Sequence, residues 1–481
     1  DFHSRGNSHS NNTISGAQVG ISLRGSEKCN ITGNLCRKNE RAGIFVENGS
    51  ENSLRDNHLS ENGNGILLQG SPRNVLVNNS AYENRYGISI RDCGGNRLRN
   101  SRLRANLFNL RIDSVQSSTE SSNYDFFVQD IDTSNLADNK SVCYLVGEVD
   151  IAVPSDCGFL GLVSCNNISA AGLNISNSSS GVLLVNSTGC RIRGSSIGSS
   201  EWGYLLLHCA SCIISDSRAA DCVVGFSAEK ASSCRLEQDR SINCSEEGFR
   251  ARGSQGLAMV DCQARACQWG ISLQDSRLCR IQNCSAADIR TDGILLRKSQ
   301  EISLLDNSAA FCQRGISLAG SNSCSLMDNN ASENEMDGIS LQQLTAAHLQ
   351  GNLARHNGQG IFAQSCRDLY LEKNLLEENS RFGLRMSGCQ GGKITENSIS
   401  GNSISGANLV DCKENVLYHN LFQDNGQNAA DNGANQWDGG EAVGGNYWSD
   451  HPVVGNPSQE ARQIAGKGID RYPFADPWGW R

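Results

Sequence analysis

The sequence predicts an all-β fold: a right-handed parallel β-helix of about sixteen or more coils, each 22–23 residues long. Three observations lead there. A glycine-led cassette returns at that interval along most of the chain. Apolar residues within each repeat alternate in twos, the period of a strand, and no stretch shows the 3.6-residue period of a helix. Asparagines recur at fixed places in the repeat, as they would if equivalent residues stacked about 4.8 Å apart. A leucine-rich repeat is the competing solenoid, but its Leu-x-x-Leu-x-Leu spacing and helical segment are missing.

The elements follow in chain order. Residues 1–113 form a first block, with cassettes Gly20–Leu23, Gly43–Val46, Gly65–Leu68, Gly87–Ile90 and a degenerate copy at Asn109–Ile112. The repeat fails over 114–157, where a Ser-rich stretch (114–123) leads into Tyr124–Phe127 and a strand at Val142–Val146 is expected; this is an irregular insertion. A second block covers 158–426, with cassette glycines from Gly181 to Gly406. Residues 427–481 hold four of the six tryptophans, Trp437, Trp448, Trp478 and Trp480, and are expected to cap the apolar cross-section at that end.

Counting from the cassette glycine, the residues one and three places on are apolar, as are those at +11 (Ile31, Leu54, Leu76, Leu304) and +16 (Leu59, Ala81, Ala309, Leu376). These define three short strands per coil. Asparagine fills +14 (Asn34, Asn57, Asn79, Asn307, Asn329) and a place three or four residues before the next glycine (Asn39, Asn62, Asn84, Asn334, Asn357). Stacked Asn side chains satisfy buried bend groups by bonding up and down the file.

Most of the 21 cysteines fall on this grid, in place of Asn. Residues on successive coils lie within the Cα separation a disulfide tolerates. Candidate rivets are Cys190–Cys212 or Cys212–Cys234, Cys222–Cys244 or Cys244–Cys267, Cys262–Cys284, and Cys366–Cys389 or Cys389–Cys412. An odd total leaves at least one thiol unpaired or bonded to another molecule. Such bonds imply an oxidising, extracytoplasmic location; reduced, buried filler thiols are the alternative. Twelve Asn-x-Ser/Thr sequons are glycosylation candidates: Asn11, Asn30, Asn48, Asn78, Asn139, Asn167, Asn174, Asn177, Asn186, Asn243, Asn283 and Asn330. A net charge of −9 with no basic run argues against nucleic acid as a partner. No apolar stretch approaches a membrane span. The chain starts at Asp1, as expected of a mature or trimmed product whose signal peptide has been removed.

Further segments carry a family resemblance. Ile131–Asn135 followed by Tyr144–Val146, the stretch Asn167–Ser169, and the tail Gln436–Asp438 with Gly445–Asp450 resemble the NosD-type periplasmic copper-maturation family and its archaeal surface relatives. Carbohydrate-binding and sugar-hydrolysing β-helices form a wider circle. The resemblance implies export. Relatives often follow the tail with an Asp-rich, calcium-like loop, which the corresponding stretch 453–467 lacks.

The motifs of pectin-cleaving β-helices are not found. The nearest carboxylate pair is Asp306 and Asp328 at +13 of adjacent coils, a pattern expected of a solvated surface. Trp202 and Trp269 precede cassette glycines and are expected in packing. The eight histidines do not line up on the grid; a copper site from His and Cys on neighbouring coils is the metal alternative. The expectation is therefore a protein that is not an enzyme, with no catalytic residues, no metal and no cofactor. It is expected at the cell surface of a microbe, an archaeal envelope in particular, self-assembling with copies of itself into a disulfide-hardened sheath, layer or filament, with envelope glycans as further partners. A carbohydrate-binding or carbohydrate-cleaving β-helix and a copper-maturation accessory are the alternatives.

Overall fold

A computed structural model describes residues 1–114 and 124–481. The Ser-rich stretch expected to open the insertion lies, from 115 to 123, outside the described residues. The chain divides into two units, Asp1–Cys234 with Asp239–Ser245, and Arg235–Gln238 with Glu246–Arg481. Each is a parallel β-solenoid with three strands per coil.

In the first unit the glycine-led strands Val19–Arg24, Ala42–Glu47, Asn64–Gln69, Tyr86–Arg91 and Phe108–Asp113 form one five-stranded parallel sheet. Short strands such as Asn30–Thr32 and Ser53–Arg55 form a second. A third contains Leu35–Arg37, His58–Ser60 and Ser80–Tyr82, and runs on through Arg102–Arg104 to Leu136–Ala137. There the chain reverses into Lys140–Val146, antiparallel to Leu136–Ala137, and Lys140–Val146 pairs parallel with Cys157–Val163. The insertion thus changes faces: the third sheet of the first block leads into the glycine-led sheet of the second. A disulfide, Cys143–Cys157, ties these two long strands together. In the second unit the glycine-led strands run from Glu247–Arg252 through Asp292–Arg297, Arg314–Ala319, Asp337–Gln342, Gln359–Gln364 and Phe382–Ser387 to Ser405–Val410.

The register explains the repeat. Ile294 pairs with Ile316 and Leu296 with Leu318, each at most 1% exposed, so the +1 and +3 residues stack into the core. At Gly293 a β-carbon would meet the Gly315 carbonyl oxygen at 2.8 Å and the Ala309 β-carbon at 2.9 Å, so the close approach of coils demands glycine there. Left-handed backbone falls not on the ladder asparagines but one residue earlier, as at Asp56 (φ 54°) and Asn78 (φ 54°). That residue turns the chain, and the next points Asn inward. Asn34 donates its backbone N–H and its side-chain amide to Asn57 Oδ1, both at 3.0 Å; Asn57 does the same to Asn79 at 3.2 and 2.9 Å. Each Asn also donates to a carbonyl below, as Asn57 does to Ile31. Replacing Asn57 by alanine strands the buried Asn34 N–H and the Ile31 carbonyl. We expect a loss of about 2–6 kcal/mol, at roughly 1–3 kcal/mol for each of the two stranded groups, read as a lower midpoint in urea at unchanged slope.

Cysteine serves the same bend. Cys262 and Cys389 donate their backbone N–H to the sulfurs of Cys284 and Cys412 on the next coil, each at 3.4 Å, where Asn oxygen sits elsewhere in the files.

Candidate functional site

The +1 and +3 side chains of a glycine-led strand enter the core, while those at −1 and +2 meet on the outer side. In the first unit Ala42, Phe45 and Leu67 form a cluster separate from the main core, with Val19 against it. Phe45 is completely buried on this outer side, with the Arg41 and Arg24 guanidinium carbons 4.1 and 6.0 Å from its ring centre. Further along this face Tyr86 donates to Glu201 and lies under the Arg111 guanidinium, 4.8 Å from the ring centre. Burial, then Glu201, raises the Tyr86 phenol above its ordinary pKa. Arg111 is itself paired with Asp113 at 2.7 Å, so these charges satisfy one another.

In the second unit the same face carries a file of charge, two buried aspartates with a half-buried arginine between them. Asp292, Arg314 and Asp337 stand at −1 on three successive coils. Asp292 is 1% exposed; it accepts from Arg314 Nε at 2.7 Å, Arg314 Nη2 at 3.3 Å and Ser317 Oγ at 2.5 Å. Asp337 is 4% exposed and accepts from Gln359 Nε2 at 2.8 Å. Burial raises the Asp337 carboxyl above the usual carboxylate pKa, while Gln359, Ser340, Arg314 and Arg381 pull it back. Gln359, next in the file, is 9% exposed, and its Oε1 has no partner. Half-buried Trp269 stands one coil before Asp292 and Phe382 one coil after Gln359. Ionisable groups with so little solvent, on the outer side of a sheet and beside an unmet acceptor, are the features of a ligand site.

None of Asp292, Arg314, Asp337 or Gln359 stood among the sequence candidates. Asp306 and Asp328, which did, are exposed left-handed corner residues (φ 55° and 54°). Trp202 and Trp269 both lie at −1 and are half-buried, Trp202 against the core. His356 bridges Glu333 and Glu378 at 2.6 Å on each side, beside a concavity of about 450 Å3 that Phe311 and Arg290 also line. The sequon asparagines are exposed, apart from half-buried Asn177.

Cys143–Cys157, which joins two cysteines outside the repeat grid, was not among the candidate disulfides. The other nineteen cysteines are buried thiols. The candidate files do bring sulfurs together: Cys212 interacts with Cys190, Cys209 and Cys234, and Cys222 with Cys244. Cys284 interacts with Cys262, and Cys389 with Cys366 and Cys412. The bond from Cys212 draws the Cys190 thiol down to about 7 against its burial. Cys267 donates to its neighbour Arg265's carbonyl at 3.3 Å.

Coils, parallel ladders and inward files make this a right-handed parallel β-helix protein; the model of the right-handed β-helix region matches residues 160–309. The family model described as periplasmic copper-binding protein (NosD) matches residues 2–127 and 270–452, and the chain belongs to that family. No curated protein matches it. Among solved structures it is similar to the periplasmic alginate epimerase AlgG (13% identity, TM-score 0.44, covering 55% of this chain and 76% of that one). It is also similar to the A-module of the Azotobacter vinelandii mannuronan C-5 epimerase AlgE6 (12%, TM-score 0.32, 78% and 89%). A third is the GH136 lacto-N-biosidase from Eubacterium ramulus (11%, TM-score 0.36, 61% and 58%). The expectation that the chain is not an enzyme is corrected here: the solved β-helices it resembles include enzymes, and the fold excludes no catalytic role.

Copper, which the family description implies, finds no matching donor set. Among the described residues, no group of three or more His, Cys, Asp or Glu side chains is arranged to hold a metal ion. His348 lies against Tyr370, and His419 is stacked on Trp480. No described helix is long and apolar enough to cross a membrane.

Proposed function

We propose that this chain is an exported, carbohydrate-active β-helix that binds a glycan along the outer groove of its second unit and performs acid–base chemistry on it. The observation that carries this reading is the pair of buried carboxyls Asp292 and Asp337 in one file with half-buried Arg314 between them. Asp337, with its raised carboxyl pKa, holds a proton closer to neutral pH than a solvated aspartate and is suited to give it to a leaving glycosidic oxygen. Asp292, fixed by Arg314 and Ser317, stands two coils away, roughly 10 Å along the stack. That spacing is close to the ~6.5–9.5 Å between the carboxyl groups of inverting glycoside hydrolysis. Half-buried Trp269 and Phe382 flank the file and offer apolar surface to sugars. The periplasmic family and the Cys143–Cys157 disulfide support an extracytoplasmic location. Calorimetry with neutral and acidic oligosaccharides tests the reading. We expect a ligand-dependent rise in Tm that Asp292→Asn abolishes; no rise with any oligosaccharide would sink it.

The second reading is the self-assembling envelope element, and the touching thiol files favour it. Air oxidation followed by non-reducing peptide mapping is expected to yield inter-coil pairs, with Cys212 joined to Cys190 or to Cys234, whose thiols its bonds both draw down. Sedimentation of the oxidised protein checks assembly; a monomer at every concentration removes this second reading.

A further inference from the structure

Past the charged file, two arginine guanidiniums stand over one aromatic ring on the same outer face. Phe382 pairs in register with Gln359 on the coil before it. The Arg381 and Arg385 guanidinium carbons stand 5.7 and 5.1 Å from the centre of the Phe382 ring. The ion pairs nearby go to Arg314 and Arg355 instead, and among the described residues Arg381 and Arg385 have none. Arg385 Nε is buried without a partner. Gln359, nine-tenths buried, commits its Nε2 to Asp337, and its Oε1 is the second orphan.

The two orphans are opposite in kind. Arg385 Nε–H needs an acceptor, and a charged one bonds best. Gln359 Oε1 needs a donor. A neutral sugar offers hydroxyls to Gln359 but leaves the buried Arg385 Nε–H without a charged acceptor. A free carboxylate answers the arginines but brings no donor to Gln359, and neither it nor a free phosphate brings apolar surface to Phe382. An anionic pyranose meets both orphans and more: a charged oxygen for Arg385, with Arg381 beside it, a hydroxyl for Gln359, and an apolar C–H surface for the part of the half-buried Phe382 ring that the arginines leave open.

We propose that Gln359, Arg381, Phe382 and Arg385 form a subsite for an acidic sugar residue, so that the glycan is anionic, charged through uronate carboxylates or sulfate esters. This rests on the glycan reading above and names its substrate class. The subsite lies one to two coils from Asp337, so an acidic residue held there places a neighbouring residue of the chain against the proton-bearing carboxyl.

The test is isothermal calorimetry on the intact protein with hexamers of galacturonate, mannuronate and guluronate, their fully methyl-esterified forms, and neutral and sulfated glucan hexamers. We expect at least one anionic hexamer to bind roughly tenfold or more tightly than its uncharged counterpart, the ordinary effect of charge-assisted bonds. Added salt should narrow that preference. Arg385→Gln should remove most of it without weakening the uncharged hexamers, and Arg385→Lys, which keeps the charge without the fork, should fall between. If Arg385→Gln does not fold, Arg381→Gln and Arg385→Lys carry the comparison. Whether uronate or sulfate hexamers win identifies the charged group. Uncharged hexamers binding as tightly as charged ones would overturn this inference and leave the glycan reading standing; binding by no hexamer would overturn both.

Discussion

Trp448→Ala is expected to cost about 3–5 kcal/mol, the usual range for deleting a large buried aromatic side chain, and to unravel the C-terminal cap before the coils. Trp448 is 1% exposed and stacked on Phe422 with ring centres 4.4 Å apart; Trp437 lies 5.8 Å away. Its indole N–H donates to Asp470 Oδ2 at 2.8 Å, and the backbone N–H groups of Asn446 and Tyr472 donate to the same carboxyl at 2.8 and 3.1 Å. A second buried carboxylate, Asp431, holds Trp437 in the same way at 2.8 Å. The cap is thus aromatic plates pinned by acids, and removing a plate opens a cavity and takes one donor from a buried carboxyl. Urea unfolding followed by the remaining tryptophan fluorescence measures it; a loss below about 1 kcal/mol would show that the plates do not close the core.

Trp448→Phe separates the two contributions. The ring stays and the N–H goes. Burial pushes the Asp470 carboxyl up from 3.8 to about 6, while Trp448 and the backbone donors pull it down. A raised acid makes the folded state hold a proton the unfolded chain has lost, so stability falls as pH rises from about 4 to about 6 and is fully reduced above that. Losing the indole donor should raise the carboxyl further. Trp448→Phe is therefore expected to be milder at pH 4 than at pH 7.5, and a pH-independent difference would contradict the assigned role of the N–H.

How much of this was legible in the sequence differs by layer. The inward columns were, because a coil cannot close without its glycine, its paired apolar residues and its bend asparagine, and each recurs at the coil interval. The Cys143–Cys157 link was not: it lies where the chain changes faces and the period gives no partner. The groove was hidden for another reason. Position −1 in the second unit runs Glu247, Trp269, Asp292, Arg314, Asp337, Gln359, Phe382, Ser405, which in a single strand looks like ordinary surface variation. The signal was present as charges of alternating sign at successive coil intervals. Interpreting it needed the fact that −1 and +2 side chains pack against one another on the outer side, away from the main core. Carboxylates were sought at +13 instead, where Asp306 and Asp328 sit on exposed corners.

Asp337→Asn is expected to lower turnover of a glycan substrate by roughly 10²–10⁴-fold, the range a positioned acid or base contributes, with little change in binding. The variant keeps the volume and leaves an amide oxygen to accept from Gln359 Nε2, so the fold should hold within about 1 kcal/mol. What is lost is the exchangeable proton. In the parent protein that proton is held more tightly than on a solvated aspartate, because burial outweighs the pull of Gln359, Ser340, Arg314 and Arg381. Activity should therefore be present below the raised carboxyl pKa and fall as pH climbs through it, an alkaline limb that Asp337→Asn removes along with the rate. Weakening the opposing pull with Arg314→Gln should move that limb to higher pH, since one of the cations favouring the charged carboxylate is gone; with Asp292 then missing its partner, the rate should drop as well. A purely structural ion pair would behave differently: both substitutions would lower stability, and neither would shift a pH profile. Initial rates of reducing-end release across pH 4–9 on the best-binding hexamer separate the two. An Asp337→Asn variant as active as the parent would remove Asp337 from the chemistry.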